Sequence, residues 1–291
     1  GHSIKGLKMN NTNNEGYNSS GLFCGLMDAT VENLVIDSSC SFIGDSAGAL
    51  SVSVGGSLTV KHTTNYAAVT GTWRVGGFIG YVQELKQAII SLEDCVNNGS
   101  VNGGEKWIGG FVGYINKNTN MTITISDSIN NGFATGDRNT VGGFVGTISN
   151  NTFITLTIDG SQNNGFTTGY KMIGGFVGFL WCNVNVTLTI SNSINNGNVT
   201  GGCYVGGFVG NIYSESQSQS MALSIMNNAN KGSVLAKEEI ACGFFCLDTR
   251  LHKNVKTTMK NSINKGSVNA NTSGYGITNI ITEARNVVSM G

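Results

Sequence analysis

The sequence predicts an all-β parallel β-solenoid, and three observations carry that expectation: a tract repeated at a fixed period, a second motif in step with it, and strands written in Thr alternating with Ile or Leu. Gly-Gly-Phe followed by Ile or Val and then Gly begins at Gly76, Gly109, Gly142, Gly174 and Gly206, with copies 32 or 33 residues apart. A unit of that length cannot bury an apolar face alone and must stack on its neighbours. Asn-Asn-Gly closes at Gly99, Gly132, Gly165 and Gly197 and Asn-Lys-Gly at Gly232 and Gly266, each about halfway between two Gly-Gly-Phe tracts.

Degenerate copies at Gly21, Gly48, Gly243 and Gly276 extend the register to about nine coils of 27 to 36 residues. The expected solenoid occupies residues 21 to 290 and is right-handed, by the general preference of parallel crossovers. Between the motifs, Met121 to Ser126, Ile154 to Asp159 and Val186 to Ser191 alternate with a period of two, the signature of strands with one buried face. No segment carries a helical period. Proline is absent from all 291 residues, although average usage would supply roughly 15. A residue that removes a ladder donor is excluded where nearly all backbone is paired.

Each recurring residue type has a structural role within this stack. Paired glycines permit positive φ and close approach of stacked backbones. Asn97, Asn130, Asn163, Asn195, Asn230 and Asn264 form a column whose amides can bond along the axis and satisfy the turns. Phe78, Phe111, Phe144, Phe176 and Phe208 form a second, internal column, continued by Phe244. The longest interval, 36 residues, contains Ser214 to Ser220 (SESQSQS), which reads as a surface loop.

Composition narrows function by exclusion. Lys plus Arg and Asp plus Glu number 17 each, for a net charge of zero with 12% charged residues, so no basic stripe addresses nucleic acid. No apolar run is long enough for a membrane-spanning helix, and the first residues lack the pattern of a signal peptide. Both ends read as cut within a repeat, so the chain reads as one solenoid domain, residues 1 to 291, within a longer protein.

The chain resembles the GLUG-type repeat proteins, microbial surface and adhesin-like β-solenoids. Ser20 to Asp37 (SGLFCGLMDATVENLVID) carries the resemblance, with the repeated VGGFVG, the Thr-rich strand and Asn-Asn-Gly-x-Val-x-Gly that follow. Cys24 and the degraded repeat after Cys242 depart from the pattern. The resemblance implies an exported or cell-surface structural protein, with partners among other surface proteins, glycans or further copies of itself.

Chemistry-bearing residues are sparse. His2, His62 and His252 lie far apart in the repeat, and no cofactor motif is present. Asp94 and Asp127 share a register position in neighbouring coils and form a weak candidate calcium pair, but Gly160 and Asn192 follow them there. A polysaccharide-processing β-helix is the enzyme alternative; it would need acidic, basic and aromatic residues converging across several coils. The seven cysteines occupy different register positions and read as buried small hydrophobes. Eight Asn-x-Ser/Thr sequons are about what this Asn-, Ser- and Thr-rich composition produces by chance. Strand alternation places Val112 and Tyr114 opposite Phe111 and Ile115, as it does Ile79 with Tyr81 and Val177 with Phe179. That predicts an outward apolar face available for lateral packing.

Overall fold

The computed structural model describes residues 1–12, 18–138, 140–214, 220–247, 254–270, 283–285 and 288–289. Within them every regular element is a strand, and all strand pairs are parallel, joining one coil to the next. The protein is a parallel β-solenoid of about eight turns. Four axial sheets, here called A to D, contain ten, fifteen, eight and nine described strands. The sequence count of nine coils includes the unit anchored at Gly276, which lies outside the described residues, as do Glu215 to Gln219 of the expected surface loop.

One central coil shows how the sequence makes this path. Val96–Asn97 lies in sheet A, Val101–Gly103 and Ile108–Gly109 in sheet B, Val112–Asn116 in sheet C and Thr119–Ser126 in sheet D, before Ile129–Asn130 re-enters sheet A one coil on. Sheet D follows the written alternation: Met121, Ile123 and Ile125 are buried while Asn120 and Thr122 are exposed. Each such aliphatic side chain contributes about 1.5–3 kcal/mol by leaving water. The phenylalanines stack on the coil spacing, with ring centroids 5.0, 4.6, 4.8 and 4.8 Å apart from Phe78 through Phe208 and 5.4 Å on to Phe244.

The glycines act through close approach and not through left-handed backbone. Among the described residues the positive-φ glycines are Gly6 and Gly160, neither of them in a Gly-Gly-Phe tract. A Cβ on the first glycine of the tract would overlap a carbonyl oxygen three residues on: Val112 for Gly109, Val145 for Gly142, Val177 for Gly174. A Cβ on the last glycine would press on sheet B of the previous coil, Gly113 on Val75 and Gly146 on Ile108. In the coils that carry these glycines, sheets B and C therefore meet backbone to backbone along a seam that no side chain can enter.

That seam overturns the expected outward apolar face. Ile79, Val112 and Val177 are 0–1% exposed and belong to the core, and Tyr114 and Phe179 are 5% and 8% exposed. The sheet C ladder pairs Ile79 with Val112 and Tyr81 with Tyr114 but does not pair Gly80 with Gly113. Alternation is broken at the glycine, so Val112 turns inward with Phe111. Tyr81 is half-buried, beneath the Arg74 guanidinium 4.7 Å from its ring centre.

The Asn column spans seven coils, beginning one coil earlier than expected, at Asn65. Each buried amide donates to the side-chain oxygen of the next Asn, at 2.9 Å from Asn97 to Asn130 and 2.9 Å from Asn130 to Asn163, and to its own turn, as from Asn130 to the Gly132 carbonyl at 3.0 Å. Two further buried columns flank sheet D. Asn118, Asn151 and Asn183 run along its entry, linked at 3.1 Å. At its exit, backbone N–H groups of Cys95, Ser128 and Ser161 donate to the hydroxyls of Ser128, Ser161 and Ser193, and the chain continues through Asn228 to Ser262.

Two outcomes follow from this packing. Asn130→Ala should lower unfolding free energy by about 3 kcal/mol, because it strands one N–H of the Asn97 amide, the Gly132 carbonyl and the Asn163 side-chain oxygen in the interior. Asn131→Ala, in an exposed Asn column beside it, should cost less than about 0.5 kcal/mol; urea titration distinguishes the two. Gly142→Ala should cost at least about 3 kcal/mol, since backbone must move to admit the methyl group. Gly104→Ala, where an added Cβ meets only ordinary contacts, should leave the midpoint within about 0.5 kcal/mol of the parent.

Candidate functional site

The turn from sheet D to sheet A decides the fate of the carboxylate pair. Asn33, His62, Asp94, Asp127, Gly160, Asn192, Asn227 and Asn261 occupy this position in successive coils, all with φ between 47° and 60°. Asn, Asp, His and Gly are the residues that tolerate the left-handed region, so Asp94 and Asp127 are accounted for as corner residues. The Asp94 carboxylate lies 3.5 Å from His62 Nδ1 on the solvent side. Among the described residues no group of three or more His, Cys, Asp or Glu side chains is placed to hold a metal ion.

Chemical variety gathers elsewhere, where sheet B is interrupted. Between its two segments the chain leaves the ladder, through Gly104–Trp107 in one coil and through 137–138, 169–171, 202–203 and 237–239 in later ones. Backbone bonds stack these excursions on one another: Glu105 N donates to the Thr72 carbonyl at 2.8 Å, Gly202 N to Tyr170 at 2.7 Å and Ile240 N to Cys203 at 2.8 Å. The result is a ridge along the rod that carries Thr72, Trp73, Arg74, Glu105, Lys106, Trp107, Tyr170, Lys171 and Glu238.

Its best-ordered part spans the two coils with tryptophan. Lys106 Nζ stands 4.6 Å from the Trp73 ring centre and 5.6 Å from that of Trp107, and the two indoles meet edge to face at 6.4 Å. Trp107 stacks flat on Tyr114 at 3.8 Å and 2°. Burial raises the Tyr114 hydroxyl above its ordinary pKa, opposed by a hydrogen bond from Ser149. Trp107 holds φ at 41°, an uncommon conformation for a bulky side chain and one that the surrounding packing must impose. Beside it, Arg74 Nε is buried without a hydrogen-bond partner, and the Thr72 hydroxyl donates to Asp45 at 3.1 Å. Trp73 remains 40% exposed. A second aromatic step, Phe133 on Phe166 at 5.3 Å and 13°, half-exposed, lies at the corner between sheets A and B.

Farther along, Tyr170 donates to Glu238 at 3.0 Å across two coils, and Cys203 lies between them. Burial, with Glu239 and Glu238 close by, pushes the Cys203 thiol up to about 11. Edge-to-face indoles with a cation over them can bind the apolar face of a flat or ring-shaped ligand and an anionic group beside it. The sequence signal was available: two of the three tryptophans fall one coil apart, but between motifs, where the repeat itself has no fixed pattern.

No family model matches the chain, and no curated protein matches it. Its structure is similar to the crystal structure of a candidate immunoglobulin A1 protease from Bacteroides ovatus, at 13% identity with a TM-score of 0.51, over 99% of this chain and 67% of that one. At that identity the likeness is one of fold alone.

The site geometry sets two expectations. Asp127→Asn should leave thermal stability within about 0.5 kcal/mol of the parent, with or without millimolar calcium, as checked by calorimetry, because the corner and not the charge is what the fold uses. Brief iodoacetamide treatment of the native protein near neutral pH should label Cys24, the one exposed cysteine, and spare Cys95, whose thiol burial pushes up to about 12; peptide mapping reads the result.

Proposed function

We propose that this chain is a non-catalytic structural or adhesive rod of the cell surface or extracellular space. The observation that carries the reading is the commitment of the interior: the buried Asn and Ser columns spend their donors and acceptors on one another and on backbone, coil after coil. Such a stack gives length and rigidity and leaves ligand contact to the exposed surface. The resemblance of Ser20 to Asp37 and of the VGGFVG tracts to surface repeat proteins supports the location. The protease name attached to the structural neighbour from Bacteroides ovatus belongs to that protein, and the reading here takes only its fold. Antibody raised against this chain should label intact, unpermeabilised source cells; labelling only after permeabilisation would overturn the reading.

A carbohydrate-binding role is the second reading, favoured by the ridge at Trp73, Lys106 and Trp107. Sugar rings present C–H faces that suit indoles, and acidic sugars add a carboxylate for Lys106. The purified chain should then retain an acidic oligosaccharide on a glycan array, and Trp73→Ala with Lys106→Ala should weaken that retention about tenfold or more. Retention unchanged by the double substitution would exclude the ridge.

A further inference from the structure

Among the described residues, the glycine seam between sheets B and C changes its chemistry at one coil. At its first position stand Gly48, Gly76, Gly109, Gly142, Gly174 and Gly206 in consecutive coils, and the following coil has Cys242, paired in register with Gly206. The opposite wall changes in the same coil. Val209 pairs with Phe245 and Ile212 with Leu247, so Cys246 alone stands where the preceding coil has Gly210 and Asn211. The residue that breaks alternation elsewhere is gone, and the strand is one residue shorter.

Both cysteines are buried, at 1% and 0% exposure. Both are free thiols, and the Cys242 side chain neighbours that of Cys246. Cys246 Sγ also donates to the Val205 carbonyl at 3.3 Å and lies 3.8 Å from that of Ile240. Where six coils exclude any side chain, this one holds two buried thiols. A single cysteine at either wall would be only an overpacked seam. Two together, with Gly243–Phe245 between them, put both thiols in the one seam, where a bridge would bring the sulfurs to about 2.05 Å.

We infer that Cys242 and Cys246 are a disulfide-forming pair that fastens sheet B to sheet C near the end of the described stack, independent of what the rod binds. The oxidant is a small disulfide of the glutathione class. The thiolate of one cysteine attacks a sulfur of that disulfide, releasing one reduced thiol and forming a mixed disulfide; the second thiolate attacks the protein sulfur of the mixed disulfide and releases the other reduced thiol. Two protein thiols are oxidised, one external disulfide is reduced to two thiols, and the two protons pass to the released thiolates. Burial holds the docked Cys246 as a thiol, well above its ordinary pKa, so exchange takes place while this coil is still open to solvent and the finished bridge is shielded afterwards.

The test uses the full chain refolded in a mixture of oxidised and reduced glutathione, then denatured, alkylated and digested with trypsin. Residues 238–250 contain both cysteines and no internal Lys or Arg, so a bridge appears within one peptide. That peptide should be lighter by two hydrogens and unalkylated, and should take two alkyl groups only when reductant precedes alkylation, while Cys95 is alkylated in both samples. Alkylation of Cys242 and Cys246 without reductant, or linkage of either to another cysteine or to glutathione, overturns the inference. Because the readout is a mass on the parent chain, no substitution that might disturb folding is needed.

Discussion

Everything in this rod depends on how closely two backbones can approach across the seam between sheets B and C. With side chains between them, stacked sheets stand about 10 Å apart; at this seam a single methyl group would overlap a carbonyl oxygen. That approach folds the coil back sharply after Gly109 and breaks alternation at Gly113. Phe111, Val112 and Ile115 all reach one core as a result. The Gly-Gly-Phe-Val-Gly tract is thus the record of one geometric requirement, repeated wherever a coil passes this point.

Axial repetition converts that requirement into stability. Because each coil presents the same residue at the same height, a buried Asn finds the next Asn as its partner, and one amide serves both its own turn and its neighbour. A lone buried amide would cost about 1–3 kcal/mol if unsatisfied, whereas in the column every interior member is satisfied from both sides. The same logic places Ser128, Ser161 and Ser193 in a column where a backbone N–H would otherwise lack an acceptor. Coils are therefore interdependent, and a defect is felt by the two coils beside it.

The features legible in the sequence were those that recur in fixed register: the sheets, the Phe stack and the main Asn column. What was missed recurs in function but not in spelling. The left-handed corner accepts Asn, Asp, His and Gly alike, so Asp94 and Asp127 looked like a charge pattern when they were members of a conformational class. The second Asn column at Asn118, Asn151 and Asn183 was visible only as isolated letters among other asparagines. The error at Val112 came from carrying a period of two through a glycine that the ladder skips, whereas Tyr114 stays off the core and is buried because Trp107 stacks flat on it.

The ridge through Trp73 and Trp107 escaped notice for a reason that bears on function. Ladder positions are constrained by the coils above and below, and a side chain that differs there loses partners on both sides. Excursions from sheet B are joined coil to coil by backbone bonds that any side chain permits, so their side chains can differ from coil to coil without breaking the stack. Trp-Arg, Glu-Lys-Trp, Asp-Arg, Tyr-Lys, Gly-Cys and Lys-Glu-Glu follow one another along one line of the rod. A solenoid that presents a partner-specific surface has to write it where the repeat leaves spelling free, and in this chain the ridge is such a line, with the left-handed Trp107 locked onto Tyr114 as its most firmly positioned element.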